Sequence, residues 1–448
     1  MSPENLNKIF KSYDVRGKVG SELTSGLVEK IGRAFADWLP AKGPVAVGRD
    51  MRPDSLELAQ AFIEGLGKQG RDVWDIGLVT SDMIFFAVGK FNLAGGAVIT
   101  ASHNPGADNG IKLYRDRVIA VGLDSGLSNI RDIALGDRFK KVASPGRLET
   151  KAINDEWIRH CLGFAKHIKP FHVAIDTGNG MAGAILPHIL PHLPIKVEAM
   201  YFELDGTFPN HGANPSLPQN LKDLIQKILA EKLDFGLAFD GDGDRVVFVD
   251  DKGRPVLGSD VISIAARYYL EKYPGAEIVH DVRTSRATQE LIREWGGIPY
   301  RTKAGRVVIG TVMREHEAPF GGETSGHLFF KENYYADSGL IAALVVMQAL
   351  SDGDKKLSEL VDEYRLYAMI TETNFEVADK ETVLERLRAE FSDGKQDNLD
   401  GLTVNYPDKW FNLRPSNTES LLRLNAEAKN QKELDAFVAR ISKIIKSA

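Results

Sequence analysis

The run Asp240-Gly241-Asp242-Gly243-Asp244-Arg245 sets three carboxylates at alternate positions. Carboxylates this close repel one another unless a cation neutralises them. Their oxygens can converge on one hard ion, as Mg²⁺ or Ca²⁺ demands. A solvated acidic turn would have the same composition, but the preceding Phe-Gly-Leu-Ala-Phe reads as a buried strand and argues against it. An EF-hand shares the spacing. It requires glycine at loop position six and glutamate at twelve, where this chain has Arg245 and Asp251.

Ser102 stands in Ile-Thr-Ala-Ser-His-Asn-Pro (99–105). A serine there can act as a nucleophile or phosphate carrier if a base and a counter-charge are supplied, or it can simply cap a turn. A metal loop in the same chain favours the first reading, because a phosphoserine carries about −1.5 to −2 charges. Arg414, Ser416, Asn417 and Thr418 offer a guanidinium fork, hydroxyls and backbone N–H groups, a set that suits a phosphate. In Gly-Gly-Glu-Thr-Ser-Gly-His (321–327), Glu323 and Ser325 read as partners for sugar hydroxyls. His327 is an acid/base, a phosphate contact or a structural histidine. Gly178-Asn-Gly180-Met-Ala-Gly183 matches the dinucleotide fingerprint, with Glu203 at the position of a ribose-binding acid. The helix after it is interrupted by Pro187 and Pro191 and the strand before it ends in Asp176, so a tight strand-to-helix turn is the expectation.

One plan of elements would position these loops. Apolar runs end in aspartate three times, at Asp50, Asp176 and Asp281. Helical stretches follow, and a later apolar run ends in one of the polar loops. Periodicity predicts helices over 25–39, 55–69, 82–91, 154–167, 182–192, 218–231, 259–272, 285–295 and 307–316. Strands are expected over 45–50, 72–77, 171–176, 195–203, 277–281 and 298–302. In open α/β sheets, ligands bind at the carboxyl ends of strands, so three related units would aim different chemistry at a shared cleft. The polar stretch 140–153, with Ser144-Pro145-Gly146, reads as a linker. Beyond about 368, half-exposed strands (369–377, 402–406) and amphipathic helices (380–391, 430–446) form a smaller α+β unit. The expected domains are 1–150, 151–253, 254–367 and 368–448.

Composition narrows the function. The chain of 448 residues has a net charge of −6 and no basic block, which argues against nucleic acid or anionic membrane as a partner. Any anion site must therefore be built locally. Cys161 is the single cysteine, so no intramolecular disulfide forms. The start has no apolar signal-peptide core, and no apolar run reaches the ~18 residues of a membrane helix. A soluble cytoplasmic protein is the expectation.

Taken together, Ser-Tyr-Asp-Val-Arg-Gly (12–17), the serine loop, the aspartate loop, Gly-Glu-Thr-Ser-Gly-His and Arg-Pro-Ser-Asn-Thr-Glu (414–419) resemble the α-D-phosphohexomutase superfamily, in its bacterial phosphomannomutase/phosphoglucomutase branch. The resemblance spans nearly the whole chain. It implies three similar mixed α/β domains and a smaller C-terminal α+β domain around a central cleft. It implies a phosphorylated Ser102 that, with Asp240, Asp242 and Asp244, holds Mg²⁺. The phosphoryl group would pass to a small-molecule sugar phosphate, giving a hexose 1,6-bisphosphate intermediate and activator that returns its other phosphate. By motif match, Arg16, His103, Lys112 and Arg245 would lie at the reacting end, with Lys112 a candidate acid/base. Glu323 and Ser325 would grip the sugar, and Arg414, Ser416, Asn417 and Thr418 the non-reacting phosphate. Tyr13, Arg283, Arg306 and His327 would add contacts. Oligomeric state does not follow from the resemblance.

The chain departs from the family pattern at four places. Asp108 stands where an aromatic is common, Thr80-Ser81-Asp82 where a proline-rich turn is usual, Arg306 where a histidine is frequent and Ser420 where a proline is common. The alternatives are a phosphoglucosamine mutase, a metal-dependent sugar phosphatase, and a non-catalytic sugar-phosphate or Ca²⁺ binding protein. Thr324, where the glucosamine branch tends to have glutamine, ranks the first of these lower.

Overall fold

A computed structural model describes residues 8–370, 372–415 and 421–447. The chain forms two compact units. One comprises Met1–Val256 with Ser325–Ser358, the other Leu257–Thr324 with Glu359–Ala448.

The first unit contains two sheets that position chemistry. In one, the order runs Val15–Lys18, Asp108–Arg115, Gly95–Ile99, Val45–Arg49, Val73–Leu78 and Leu148–Thr150. The central Val45–Arg49 pairs in parallel with strands on both sides, whereas Asp108–Arg115 runs antiparallel to Gly95–Ile99. The sheet is therefore mixed, as expected. Both faces of Gly95–Ile99 are buried, which explains its unbroken apolar run. Helix Ser25–Trp38 lays Val28, Ile31 and Phe35 into the core, and the Thr24 hydroxyl caps it by accepting from Leu27 N at 3.3 Å. The second sheet has the order Val246–Asp250, Phe235–Phe239, His172–Asp176 and Lys196–Met200.

In the second unit, Glu277–Asp281 lies between Ile298–Thr302 and Phe320–Gly322, all parallel. A separate antiparallel sheet runs Ala368–Met369, Leu421–Ala428, Lys409–Pro415, Leu402–Asn405 and Lys395–Asp397, with Thr373–Glu376 also paired to Leu421–Ala428. Helices Lys380–Glu390 and Gln431–Lys446 pack their apolar residues onto it.

Several boundaries differ from expectation, each for a local reason. The helix expected over 154–167 ends at Leu162, because the Gln348 side chain accepts the N–H groups of Lys166 (2.8 Å) and His167 (2.9 Å). That expected over 182–192 ends at Ile189 and tightens to a 3₁₀ turn over Leu190–His192, where Pro191 has no N–H to give. The strand expected over 195–203 is confined to Lys196–Met200. Within the expected linker 140–153, Leu148–Thr150 is an exposed edge strand paired with Val73–Leu78. Gly339–Asp352 is a helix that periodicity does not reveal. It is buried on nearly every side, so its apolar residues have no polar face to alternate with.

Candidate active site

The three strand-end aspartates share one local device. Asp50 Oδ1 accepts from Arg52 N at 3.0 Å, Asp176 Oδ1 from Gly178 N at 2.8 Å, and Asp281 Oδ1 from Arg283 N at 2.6 Å. In each, a carboxylate at the carboxyl end of a parallel strand takes the N–H two residues on. The chain thus turns at a fixed place.

At Asp50 the device carries an arginine with every N–H engaged. Arg52 Nε donates to Asp50 Oδ2 (3.1 Å). Its Nη1 donates to the carbonyls of Pro105 (2.6 Å) and Asp108 (2.9 Å), and its Nη2 to those of Ser102 (3.0 Å) and Asn104 (2.7 Å). Three carbonyls of the serine loop and that of Asp108, at the start of the next strand, are gathered on one buried guanidinium. Held this way, Ser102 takes φ +50°, a conformation uncommon for a residue with a side chain. Its Oγ lies 3.0 Å from Asp240 Oδ2 and 3.2 Å from His103 Nδ1.

The aspartate loop meets it closely. A Cβ on Gly241 would stand 2.5 Å from the Ser102 carbonyl, so only glycine permits the approach. Asp240, Asp242 and Asp244 are fully buried, and one oxygen of each lies within 4.8 Å of the others. Lys112 Nζ bridges Asp242 (2.5 Å) and Asp244 (2.6 Å), while Arg245 Nε donates to Asp240 Oδ2 (2.9 Å). Asp242 Oδ1 is buried with no hydrogen-bond partner among the described residues. All three donors are carboxylate oxygens, and when all three are ionised they outnumber the two cations Lys112 and Arg245 that pair with them. The cluster therefore fits a hard divalent cation.

Protonation follows from this crowding. Burial, reinforced by Asp244 and Asp242, pushes the Asp240 carboxyl up to about 7 despite Arg245. Asp242 is buried too and faces Asp244, yet Lys112 and Ser81 hold it below the usual range. The adjacent Arg245 guanidinium and then burial keep His103 neutral, far below its ordinary pKa. Arg245 Nη2 contacts His103 Nδ1. Arg16 joins through Asn104, donating to its Oδ1 at 2.7 Å. The departure at Asp108 has a role here, since its carboxylate accepts from Asn104 Nδ2 at 2.9 Å and orients that amide. The departure at Ser81 brings a hydroxyl that donates to Asp242. His327 Nδ1 pairs with Asp337 Oδ2 (2.6 Å) and lies 3.9 Å from Asp244. Burial opposes its proton, but Asp244 and Asp337 raise its pKa on balance. The Ser325 hydroxyl is shielded and has no partner among the described residues. Tyr13 is half-buried, just before strand Val15–Lys18.

The second unit gathers another set. Arg283 Nη2 donates to Asp281 Oδ2 (2.9 Å) and to Glu323 Oε1 (2.8 Å). Asp281 also accepts from Thr324 N (2.7 Å), which ties the sugar-type loop to the strand end. Arg414 Nη2 donates to Glu372 Oε2 at 3.2 Å. Arg306 opens helix Arg306–Glu315 and is half-buried. Ser416, Asn417 and Thr418 lie outside the described residues. Sequence reasoning missed Arg52, Asp337 and Glu372. Arg52 could have been found, since it follows Asp50 at the spacing by which Arg283 follows Asp281.

Four sequence models of the phosphoglucomutase/phosphomannomutase family match in order. They are α/β/α domain I over residues 7–138, domain II over 155–253, domain III over 258–367 and the C-terminal domain over 372–444. The chain belongs to this family. Membership places it in the α-D-phosphohexomutase superfamily, whose enzymes are isomerases of carbohydrate metabolism. It is 37% identical over 430 residues to phosphohexose mutases of Xanthomonas campestris, covering 95% of this chain and 96% of that one. It is 36% identical to the phosphomannomutase/phosphoglucomutase of Pseudomonas aeruginosa, covering 95% and 93%. A crystal structure of a phosphoglucomutase/phosphomannomutase family protein from Burkholderia thailandensis superposes with a TM-score of 0.91 at 31% identity, covering 98% and 97%. Among the described residues, no helix is long and apolar enough to cross a membrane.

Proposed function

We propose that this chain interconverts hexose 1-phosphate and hexose 6-phosphate, on mannose and also glucose, with Ser102 as the phosphoryl carrier. The observation that carries the reading is the Ser102 hydroxyl, 3.0 Å from Asp240 in a turn that Arg52 holds, beside two further buried carboxylates. The residue roles, the four domains (1–150, 151–253, 254–367, 368–448) and a cytoplasmic location belong to the same reading.

Asp240, Asp242 and Asp244 would hold Mg²⁺, which when bound supplies positive charge to the phosphoryl oxygens. Phosphoryl transfer needs positioning and charge stabilisation above all. Arg16, Arg245 and Lys112 line the reacting end with cations. In the first half-reaction the P–Oγ bond of phospho-Ser102 breaks and a bond from phosphorus to the sugar hydroxyl oxygen forms. The hydroxyl proton ends on the departing Ser102 Oγ. Lys112 is the candidate to relay it, accepting it once its own proton has passed to one of the carboxylates it bridges, Asp242 or Asp244. The resulting bisphosphate then presents its other phosphate, and the reverse step re-forms phospho-Ser102. His103 stays neutral and accepts from Arg245, so it orients that guanidinium without adding charge. Glu323 and Ser325 grip sugar hydroxyls, Tyr13, Arg283, Arg306 and His327 add contacts, and Arg414 with Ser416, Asn417 and Thr418 holds the non-reacting phosphate.

The test is ³¹P NMR of the protein with Mg²⁺, a trace of hexose 1,6-bisphosphate, and mannose 1-phosphate or glucose 1-phosphate. The expected outcome is the 6-phosphate without free phosphate, and loss of at least about a thousandfold in rate for Ser102→Ala. Release of inorganic phosphate alone would make the protein a phosphatase. Full activity in Ser102→Ala would remove the phosphoserine.

A further inference from the structure

In the second unit the strands Lys409–Pro415 and Leu421–Ala428 place Arg414 directly opposite Arg423. Like charges in that position repel. The carboxylate of Glu372 lies on both. Its Oε2 is 3.2 Å from Arg414 Nη2 and 3.3 Å from Asn425 Nδ2, and its Oε1 is 3.5 Å from Arg423 Nη1. Arg283 Nη1 stands 3.9 Å away. Four donor groups from four residues therefore surround one carboxylate, and of these none comes closer than 3.2 Å. Charge-assisted hydrogen bonds are ordinarily shorter, about 2.7–2.9 Å. The cradle is wider than its occupant. Arg414 is nine-tenths buried, and its Nε–H has no acceptor among the described residues. That donor is left over for an anion with more oxygens than a carboxylate.

The charges make the same point. Among the described residues, ion pairs set Arg283, Arg414 and Arg423 against Asp281, Glu323 and Glu372, three against three. With Glu372 in place these six charges balance, and the chain as a whole carries −6. A phosphate entering here meets guanidiniums that already have a counter-ion.

We propose that Glu372 is an internal anion in the phosphate seat, competing with the substrate's non-transferred phosphate for Arg414 and Arg423. This rests on the reading of Arg414 as a phosphate contact. Its use is exchange. A bisphosphate that must present first one phosphate and then the other needs a seat that lets go, and a resident carboxylate weakens the grip each time it returns. A carboxylate that served only to orient the arginines would act in the opposite sense, strengthening phosphate binding.

The two roles separate in a binding experiment. Glucose 6-phosphate is titrated calorimetrically into Ser102→Ala protein, which cannot turn it over, and into the same protein carrying Glu372→Gln or Arg414→Gln. Removing one charge at about 3–4 Å from the seat should tighten binding by about fivefold to tenfold in Glu372→Gln. Arg414→Gln should weaken it. If Arg414→Gln binds as well as its parent, the phosphate-seat reading fails. If Arg414→Gln weakens and Glu372→Gln is equal or weaker, Glu372 orients the arginines and the inference is overturned. Should Glu372→Gln fail to fold, Glu372→Asp withdraws the carboxylate by one methylene. It should also tighten binding, and equal or weaker binding there overturns the proposal as well.

Discussion

Ser102 Oγ donates to Asp240 Oδ2, so the protonation of Asp240 decides whether the serine has a carboxylate to donate to. With its carboxyl pushed up to about 7, Asp240 is protonated in mildly acidic solution and ionised above it. A divalent cation needs the ionised form, so it must displace a proton below that point. The sign follows: affinity for Mg²⁺ rises with pH towards about 7 and then levels. The expected outcome is about a tenfold gain per pH unit between about 5.5 and 6.5, with proton release detected as a dependence of binding heat on buffer. A constant affinity across that range would remove Asp240 from the ion's ligands. Ser102 itself makes a second test. At φ +50° a β-branched side chain is strained. Ser102→Thr, which keeps the hydroxyl, should therefore lose at least about tenfold in rate. A threonine enzyme as fast as the parent would show that the turn relaxes.

At the scale of the element, the serine loop is a short segment between two strands, and its shape is imposed from outside by Arg52. A lysine there keeps the charge but offers three donors in place of a planar fork of five. Arg52→Lys should lower the rate by at least about tenfold while far-UV circular dichroism stays as in the parent, and an unaffected rate would mean that the loop holds its own shape. Elements were legible where burial was one-sided. The stripe Val28, Ile31 and Phe35 announces its helix, and the strand-end aspartates mark the turns. They were illegible where burial was total, as in Gly339–Asp352, or where a partner far along the chain decides, as Gln348 does at Lys166. The candidate site divides the same way. Ser102 and the three aspartates stand in motifs whose chemistry shows in their spacing. Glu372 and Asp337 gain meaning only from what folds against them, Arg414 in one case and His327 in the other.

For the molecule as a whole, two compact units are each closed by contacts between distant stretches of chain. In the second, Glu427 accepts from Arg286 N (2.9 Å), Trp410 Nε1 (2.5 Å) and the Ser285 hydroxyl. Glu427→Ala would leave three shielded donors unpaired, costing about 3 kcal/mol or more. Calorimetry should show one transition moving down by several degrees while the rest of the unfolding profile stays put. A uniform shift of a single transition would show that the units unfold together. The aspartates at the strand ends have a wider bearing. Each fixes its loop by a bond to the backbone N–H two residues on, whatever side chain that residue carries. The scaffold is thus a set of sockets. Lineages can exchange what is plugged into one, altering sugar preference or charge, while its neighbours keep their geometry and the enzyme continues to work throughout the change.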